Sequence, residues 1–243
     1  MKLTSLFRAL LISLVLISTN CYADDYYNRD CDDLYDPFEK VNRKVFRFNY
    51  GLDKKILKPV AKGYDKAVPK AAKKRIRNFF ANLYSPVTFI NYLLQFKVVE
   101  ATKTFWRFAL NSTIGLGGLH DVASPLDITT QKQTFGNTLA YYGVRPGAYV
   151  MLPLLGPTNM RDMFDVIILD RLLNPITYNM KDKVYYPMYA FSFIPIRASL
   201  LSTSNYVEIT SSDLYVSVRS MYHQKRENQL DYPLRRKCVR IGE

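Results

Sequence analysis

From Asp36 onward the apolar residues recur every three or four positions, and that rhythm constrains the fold more than any other feature of the chain. Phe38, Val41, Val45, Phe48, Leu52 and Ile56 make one stripe, the spacing of one face of an α-helix. Asp36 as N-cap, Pro37 at the first helical position and Glu39 at the third give it a capping-box start. Lys58-Pro59 is expected to end or bend it. Pro69 opens a second helix, with Ala72, Ile76, Phe79, Phe80 and Leu83 on one side and Lys70, Lys74 and Arg77 on the other. Ser85-Pro86 predicts a fresh start for a helix through Leu93, Leu94 and Phe96, and another follows through Val98, Phe105, Trp106 and Ala109. Thr134 caps a short helix over 135–142, which Gly143 ends. The run 149–156 is extended, proline-broken and wholly apolar. Thr158 caps a helix over Met160, Met163, Phe164 and Ile167, and Ser212 or Asp213 caps the last, with Leu214, Val218, Met221 and Tyr222. The expectation is one mainly α domain over 36–228 with little β structure.

The N-terminus adds a destination. Lys2 and Arg8 flank a short basic region, and 9–17 is an unbroken apolar-plus-serine run, a secretory signal too short to span a bilayer. Cleavage after Ala23 makes 1–23 the signal peptide; lipidation of Cys21 makes it 1–20, although Asn20 stands where a lipoprotein signal usually has glycine or alanine. The acidic stretch 24–35 lacks the glycine and terminal glutamate of a calcium loop and reads as a solvated tether. In an oxidising compartment Cys31 and Cys238 either pair as a disulfide joining the two ends or stay as free thiols. Past the signal, no segment reaches the roughly 18 consecutive apolar residues of a spanning helix, so amphipathic helices lying in or under a membrane remain open.

Charge narrows the partners. The 243-residue chain carries 34 basic and 21 acidic residues, a formal net charge of +13, which favours anionic partners. Export argues against nucleic acid. Basic residues concentrate between Lys54 and Arg77, where Asp65 is the only acid. Lys66, Lys70, Lys74 and Arg77 are candidate contacts for an anionic membrane surface. The basic tail, 229–243, repeats the sign.

The stretch 107–121, RFALNSTIGLGGLHD, is the candidate functional element. Gly115, Gly117 and Gly118 let the backbone turn sharply, while Ile114, Leu116 and Leu119 are apolar and need core or lipid to touch. The glycines are expected to act as a hinge, Asn111 as a polar anchor and Asp121 as a stop.

A search for chemistry finds little. His120 and His223 are the only histidines, and no G-x-S-x-G elbow accompanies them. Gly115-x-Gly117 fails the dinucleotide fingerprint, and no paired cysteines support zinc. Asp162, Asp165 and Asp170 share one predicted helix, with Arg161 and Arg171 as nearer partners than a cation. No enzyme activity, metal or cofactor is expected.

Several phrases, in order, resemble the MlaA (VacJ) outer-membrane lipoproteins. They are Asp36-Pro37-Phe38-Glu39, Asn42-Arg43, Phe46-Arg47-Phe48-Asn49, Asn78-Phe79, Asn82-Leu83, Asn91 and Leu94-Gln95. Arg107-Phe108, Asn111, Gly115, Gly117-Gly118, Asp121-Val122-Ala123, Phe135-Gly136, Tyr142-Gly143-Val144, Leu152-Pro153, Arg161-Asp162 and Asp213 with Tyr215 and Arg219 continue the series. The resemblance implies a single-domain ring of amphipathic helices embedded in the inner leaflet of a Gram-negative outer membrane. That ring encloses an amphipathic channel for mislocalised phospholipids, and the glycine hairpin beside it governs opening. The implied partners are a porin trimer and a periplasmic lipid carrier, MlaC-like, that feeds an inner-membrane ABC transporter. A lipoprotein that scaffolds porins without moving lipid is the alternative, and an exported lipid hydrolase ranks below both because the nucleophile elbow is missing.

Overall fold

The computed structural model describes residues 35–165 and 174–230. The export signal, Cys21, Cys31, Cys238, Ile167, Asp170, Arg171 and the tail from 231 lie outside the described residues, as does all of the tether but Tyr35.

The described chain is mainly helical with one small β-hairpin, as the periodicity leads one to expect. Helix α1 (Glu39–Leu52) runs through a π-helical turn (Asp53–Leu57) into α2 (Lys58–Ala67). Lys58-Pro59 therefore neither ends nor breaks the rod. The Lys58 N–H reaches back five residues to the Asp53 carbonyl, and this widened turn takes the proline ring that a tight α-turn would reject. Arg197 grips the same turn through both Asp53 oxygens, at 2.6 and 2.8 Å.

Helix α3 (Lys70–Leu94) is likewise unbroken, so Ser85-Pro86 starts no new helix. Pro86 has no N–H to give the Asn82 carbonyl, and side chains bond the carbonyls on either side of it. The Ser85 hydroxyl donates to the Ala81 oxygen at 3.2 Å, and Asn174 Nδ2 donates to the Leu83 oxygen at 2.9 Å. Helix α4 (Val98–Thr113) returns along α3. Helix α5 (Phe135–Tyr141) begins at Thr134, whose side chain accepts from the Asn137 N–H as expected of a cap. Strands β1 (Tyr149–Leu152) and β2 (Gly156–Asn159) pair antiparallel, Tyr149 opposite Asn159. Asn159, one residue past the expected Thr158, caps α6 (Met160–Phe164). Asn174 caps the short α7 (Pro175–Tyr178). Helices α8 (Asp182–Ser199), α9 (Leu201–Thr210) and α10 (Leu214–Gln229) complete the chain, and Asp213 caps α10.

The capping box expected at α1 does not form. Phe38, not Asp36, occupies the N-cap and offers no side-chain acceptor. Glu39 pairs with Arg43 at 2.7 Å. Asp36 instead accepts from Asn42 Nδ2 at 2.8 Å, from the Tyr215 hydroxyl and from Arg219 at 3.0 Å, tying the start of the helical unit to α10.

The larger surprise is which face of each helix points inward. Along α1 and the π-helical turn after it, Phe38, Val41, Phe48 and Ile56 of the apolar stripe are exposed. The inward face carries Asn42 and Asn49. Asn42 donates to the Tyr149 oxygen (3.0 Å) and accepts from the Met151 N–H (2.9 Å). Asn49 donates to the Leu152 oxygen and accepts from the Leu154 N–H, both at 2.8 Å. The two side chains thus extend the ladder of β1 as a neighbouring strand would. On α4, Val98, Val99, Phe105 and Trp106 face outward, while Ala101, Thr104 and Asn111 face in. Among the described side chains no leucine, isoleucine, phenylalanine or tryptophan is fully buried; the buried apolar set is alanines and tyrosines with Val87 and Met151. Asn91, Gln95, Gln133, Asn137 and Thr138 are buried and hydrogen-bonded to one another or to the backbone.

This inversion predicts an unusual order of mutational costs. Asn42→Ala strands the Met151 N–H and Tyr149 carbonyl away from water, at about 1–3 kcal/mol for each group left unpaired. Thermal unfolding in detergent should show a larger loss for Asn42→Ala than for Phe48→Ala. The reverse order would mean that Phe48, not Asn42, anchors α1.

Candidate functional site

The glycine stretch forms a tight loop that caps the C-terminal end of α4. Its backbone closes on itself through Gly117 N to Ser112 O (3.0 Å), Gly118 N to Asn111 O (2.6 Å) and His120 N to Gly115 O (2.9 Å). Leu116, Gly117 and Gly118 all have positive φ, at 54°, 69° and 90°. Such a run is natural for glycine, whereas a leucine held there costs about 1–2 kcal/mol.

A polar lock fixes the loop to its helix. Asn111 is buried; its amide oxygen accepts from the N–H groups of Val122 (2.9 Å) and Ala123 (3.2 Å), and its amide nitrogen donates to Asp121 (3.2 Å). Arg107, one turn earlier, donates to the other Asp121 oxygen at 2.6 Å, to the Ser124 hydroxyl at 2.9 Å and to the Ile128 carbonyl at 2.8 Å. Burial acts to raise the Asp121 pKa, but the Ser124 and Arg107 hydrogen bonds outweigh it and hold the carboxyl below its ordinary value.

Two of the three glycines are seats rather than free joints. A Cβ on Gly115 would press into the carbonyl oxygens of His120 and Asn111 and come within 2.9 Å of the Asn111 Cα. One on Gly118 would meet Asn82 Cγ at 2.7 Å. Gly117, at the tip, has open space around it. Asn82 donates to the Ser112 hydroxyl at 2.9 Å, while its own buried Oδ1 has no partner. The side chains between the glycines turn outward: Ile114 is 67% exposed, Leu116 66% and Leu119 38%. The loop therefore keeps its polar groups inside and presents three aliphatic side chains outside.

Sequence reasoning singled out Asn111, Asp121, the glycines and the aliphatics of this loop. It assigned no role here to Arg107, Ser124 or Asn82, which reach it from 14 residues before Asp121, from just after it and from α3. Nothing in their spacing signals the contact. Lys66, Lys70, Lys74 and Arg77 are all exposed on α2 and α3, apart from the loop in sequence. Among the described residues no group of three His, Cys, Asp or Glu side chains could hold a metal ion. No described helix is long and apolar enough to cross a membrane.

The expected acidic row on α6 resolves into a structural cluster. Asp162 accepts from Arg226 (2.6 Å), Arg161 (2.9 Å) and Asn159 (2.8 Å), and Asp165 accepts from the Phe135 N–H at 3.3 Å.

Comparison with known proteins agrees with this architecture. A family model described as MlaA lipoprotein matches residues 34–229. An uncharacterized protein of Rickettsia typhi is 42% identical, with 94% of this chain and 96% of the relative covered. The intermembrane phospholipid transport system lipoprotein MlaA of Escherichia coli is 36% identical over 79% of this chain and 77% of its own length. Its Haemophilus influenzae counterpart is 31% identical over 92% and 89%. A solved structure, reported as the structural basis for maintenance of bacterial outer membrane lipid asymmetry, superposes with a TM-score of 0.71 at 35% identity, covering 80% of this chain and 98% of that one. The chain belongs to the MlaA lipoprotein family.

Proposed function

We propose that this protein lodges in the periplasmic leaflet of a Gram-negative outer membrane and carries mislocalised phospholipids from the outer leaflet toward the periplasm. The inverted fold carries this reading. Burying alanine and asparagine while exposing Phe38, Val41, Phe48, Val98, Val99, Phe105 and Trp106 is costly in water at about 25 cal/mol per Å² of apolar surface. In hydrocarbon the same arrangement is favourable, and no helix need cross the bilayer. A phospholipid in transit needs polar groups for its headgroup and apolar ones for its tails. The hydrogen-bonded interior and the aliphatic loop supply both. A porin trimer beside the protein and a soluble carrier below it complete the route.

Loss of the gene should raise outer-leaflet phospholipid, read by labelling lipids accessible at the cell surface. The double variant Ile114→Asn/Leu116→Asn alters two exposed side chains and leaves the polar lock intact. It should reproduce the defect at normal protein level and with porin still co-purifying. A porin scaffold that moved no lipid would leave the variant's membrane asymmetric, and that result would defeat the conduit reading.

A further inference from the structure

We infer that Lys62, Lys66, Lys70, Lys74 and Arg77 form a cationic arc that docks on the anionic phospholipid headgroups of the membrane surface. The inference rests on the membrane-lodged reading above and adds the headgroup charge that the protein selects. Lys62 and Lys66 stand four residues apart on α2; Lys70, Lys74 and Arg77 stand at intervals of four and three on α3, so each set shares a helix face, and all five are exposed. Asp65, the one acid in this part of the chain, is taken by Lys73, whose Nζ meets its carboxylate at 2.5 Å and its backbone oxygen at 2.6 Å. That contact draws the first turn of α3 onto the last turns of α2 and leaves the arc without a counter-charge of its own.

The placement opposes the chain's own electrostatics. Helix α3 begins without a side-chain cap and without an acid in its first turn, so Lys70, Lys73 and Lys74 crowd the positive end of the helix dipole, where cations are unfavourable. Like charges four residues apart repel as well. An anionic surface reverses both terms.

One observation favours lipid over an acidic protein as the occupant. The α1–α2 rod carries exposed Ile56 and Val60 immediately before Lys62, the apolar-to-cationic sequence of a helix resting at the headgroup boundary.

The test is flotation of the full-length protein with vesicles of phosphatidylcholine alone or doped with phosphatidylglycerol. Wild type should prefer the anionic vesicles, and the preference should fall with salt. Each cation removed should lower that partitioning about fivefold, so Lys66→Gln/Lys70→Gln/Lys74→Gln/Arg77→Gln should lose most of the preference. Its helicity and its binding to phosphatidylcholine should be unchanged, and the matching set with Lys66, Lys70 and Lys74 changed to Arg should behave as wild type. Equal partitioning of wild type onto both vesicles, or an unaffected Gln variant, overturns the arc while leaving the conduit reading intact. Failure of wild type to bind either vesicle overturns the membrane-lodged reading itself. Retention of the arc-dependent binding on a polyglutamate surface but not on anionic vesicles overturns the lipid and moves the partner to an acidic protein.

Discussion

Asp162→Asn should destabilise the protein by about 3–5 kcal/mol, the cost of leaving buried charge uncompensated. Asp162 lies between Arg161 and Arg226, whose side chains are 1% and 13% exposed, and is itself 7% exposed. Arg226 also donates to Asn137 at 2.6 Å and Arg161 to the Val144 carbonyl at 3.0 Å. One carboxylate thus joins α5, the β2–α6 junction and α10. An amide in its place would set a donor against one of two guanidinium donors. Burial alone would raise the Asp162 pKa, but hydrogen bonds from Arg226 and Arg161 bring it down to about 2. A depressed carboxyl pKa contributes stability above its unfolded value, near 3.8, and loses it as pH falls through the folded one. Wild type should therefore lose roughly 2 kcal/mol between about pH 4 and pH 2 that the Asn variant has already lost. Thermal unfolding in detergent across that window measures both. A variant as stable as wild type at pH 7 would show that the two arginines find other partners or water.

The helices were legible because periodicity survives inversion. A helix with one apolar face repeats every 3.6 residues whether that face points to core or to lipid, so the stripe of Phe38, Val41 and Phe48 located α1 and said nothing about its direction. The proline signals misled for a related reason. A proline breaks a helix when nothing else holds the turn around its lost N–H; here a π-turn at Asp53–Leu57 runs up to Pro59, and the side chains of Ser85 and Asn174 bond the Ala81 and Leu83 carbonyls ahead of Pro86. Asp36 has the right type and place for a cap, yet Tyr215 and Arg219, some 180 residues later, claim its carboxylate. Long-range partners leave no local trace. In the loop, Asn111, Asp121 and the glycines were legible as polar and bendable residues inside an apolar phrase. The lock that Arg107 makes with them was not, because an arginine on a helix most often faces solvent.

Gly115→Ala should impair phospholipid removal far more than Gly117→Ala, although Gly117 has the positive φ and Gly115 is the less conspicuous residue. An alanine at 117 meets open space and carries only the left-handed backbone strain, about 1 kcal/mol. An alanine at 115 pushes on the carbonyl oxygens of Asn111 and His120, which are backbone and cannot swing aside. Relief requires prying the loop off α4, with loss of the Gly118–Asn111 and His120–Gly115 hydrogen bonds that close it. Overpacking of this kind costs about 1–3 kcal/mol, enough to change how the loop sits while Arg107 and Asp121 still hold its base. Outer-leaflet phospholipid should then rise in cells carrying Gly115→Ala and stay near wild type with Gly117→Ala, at equal protein levels. Equal defects would place the working part of the loop at its free tip instead of its packed seat. A defect in neither would remove the loop from the transport path altogether.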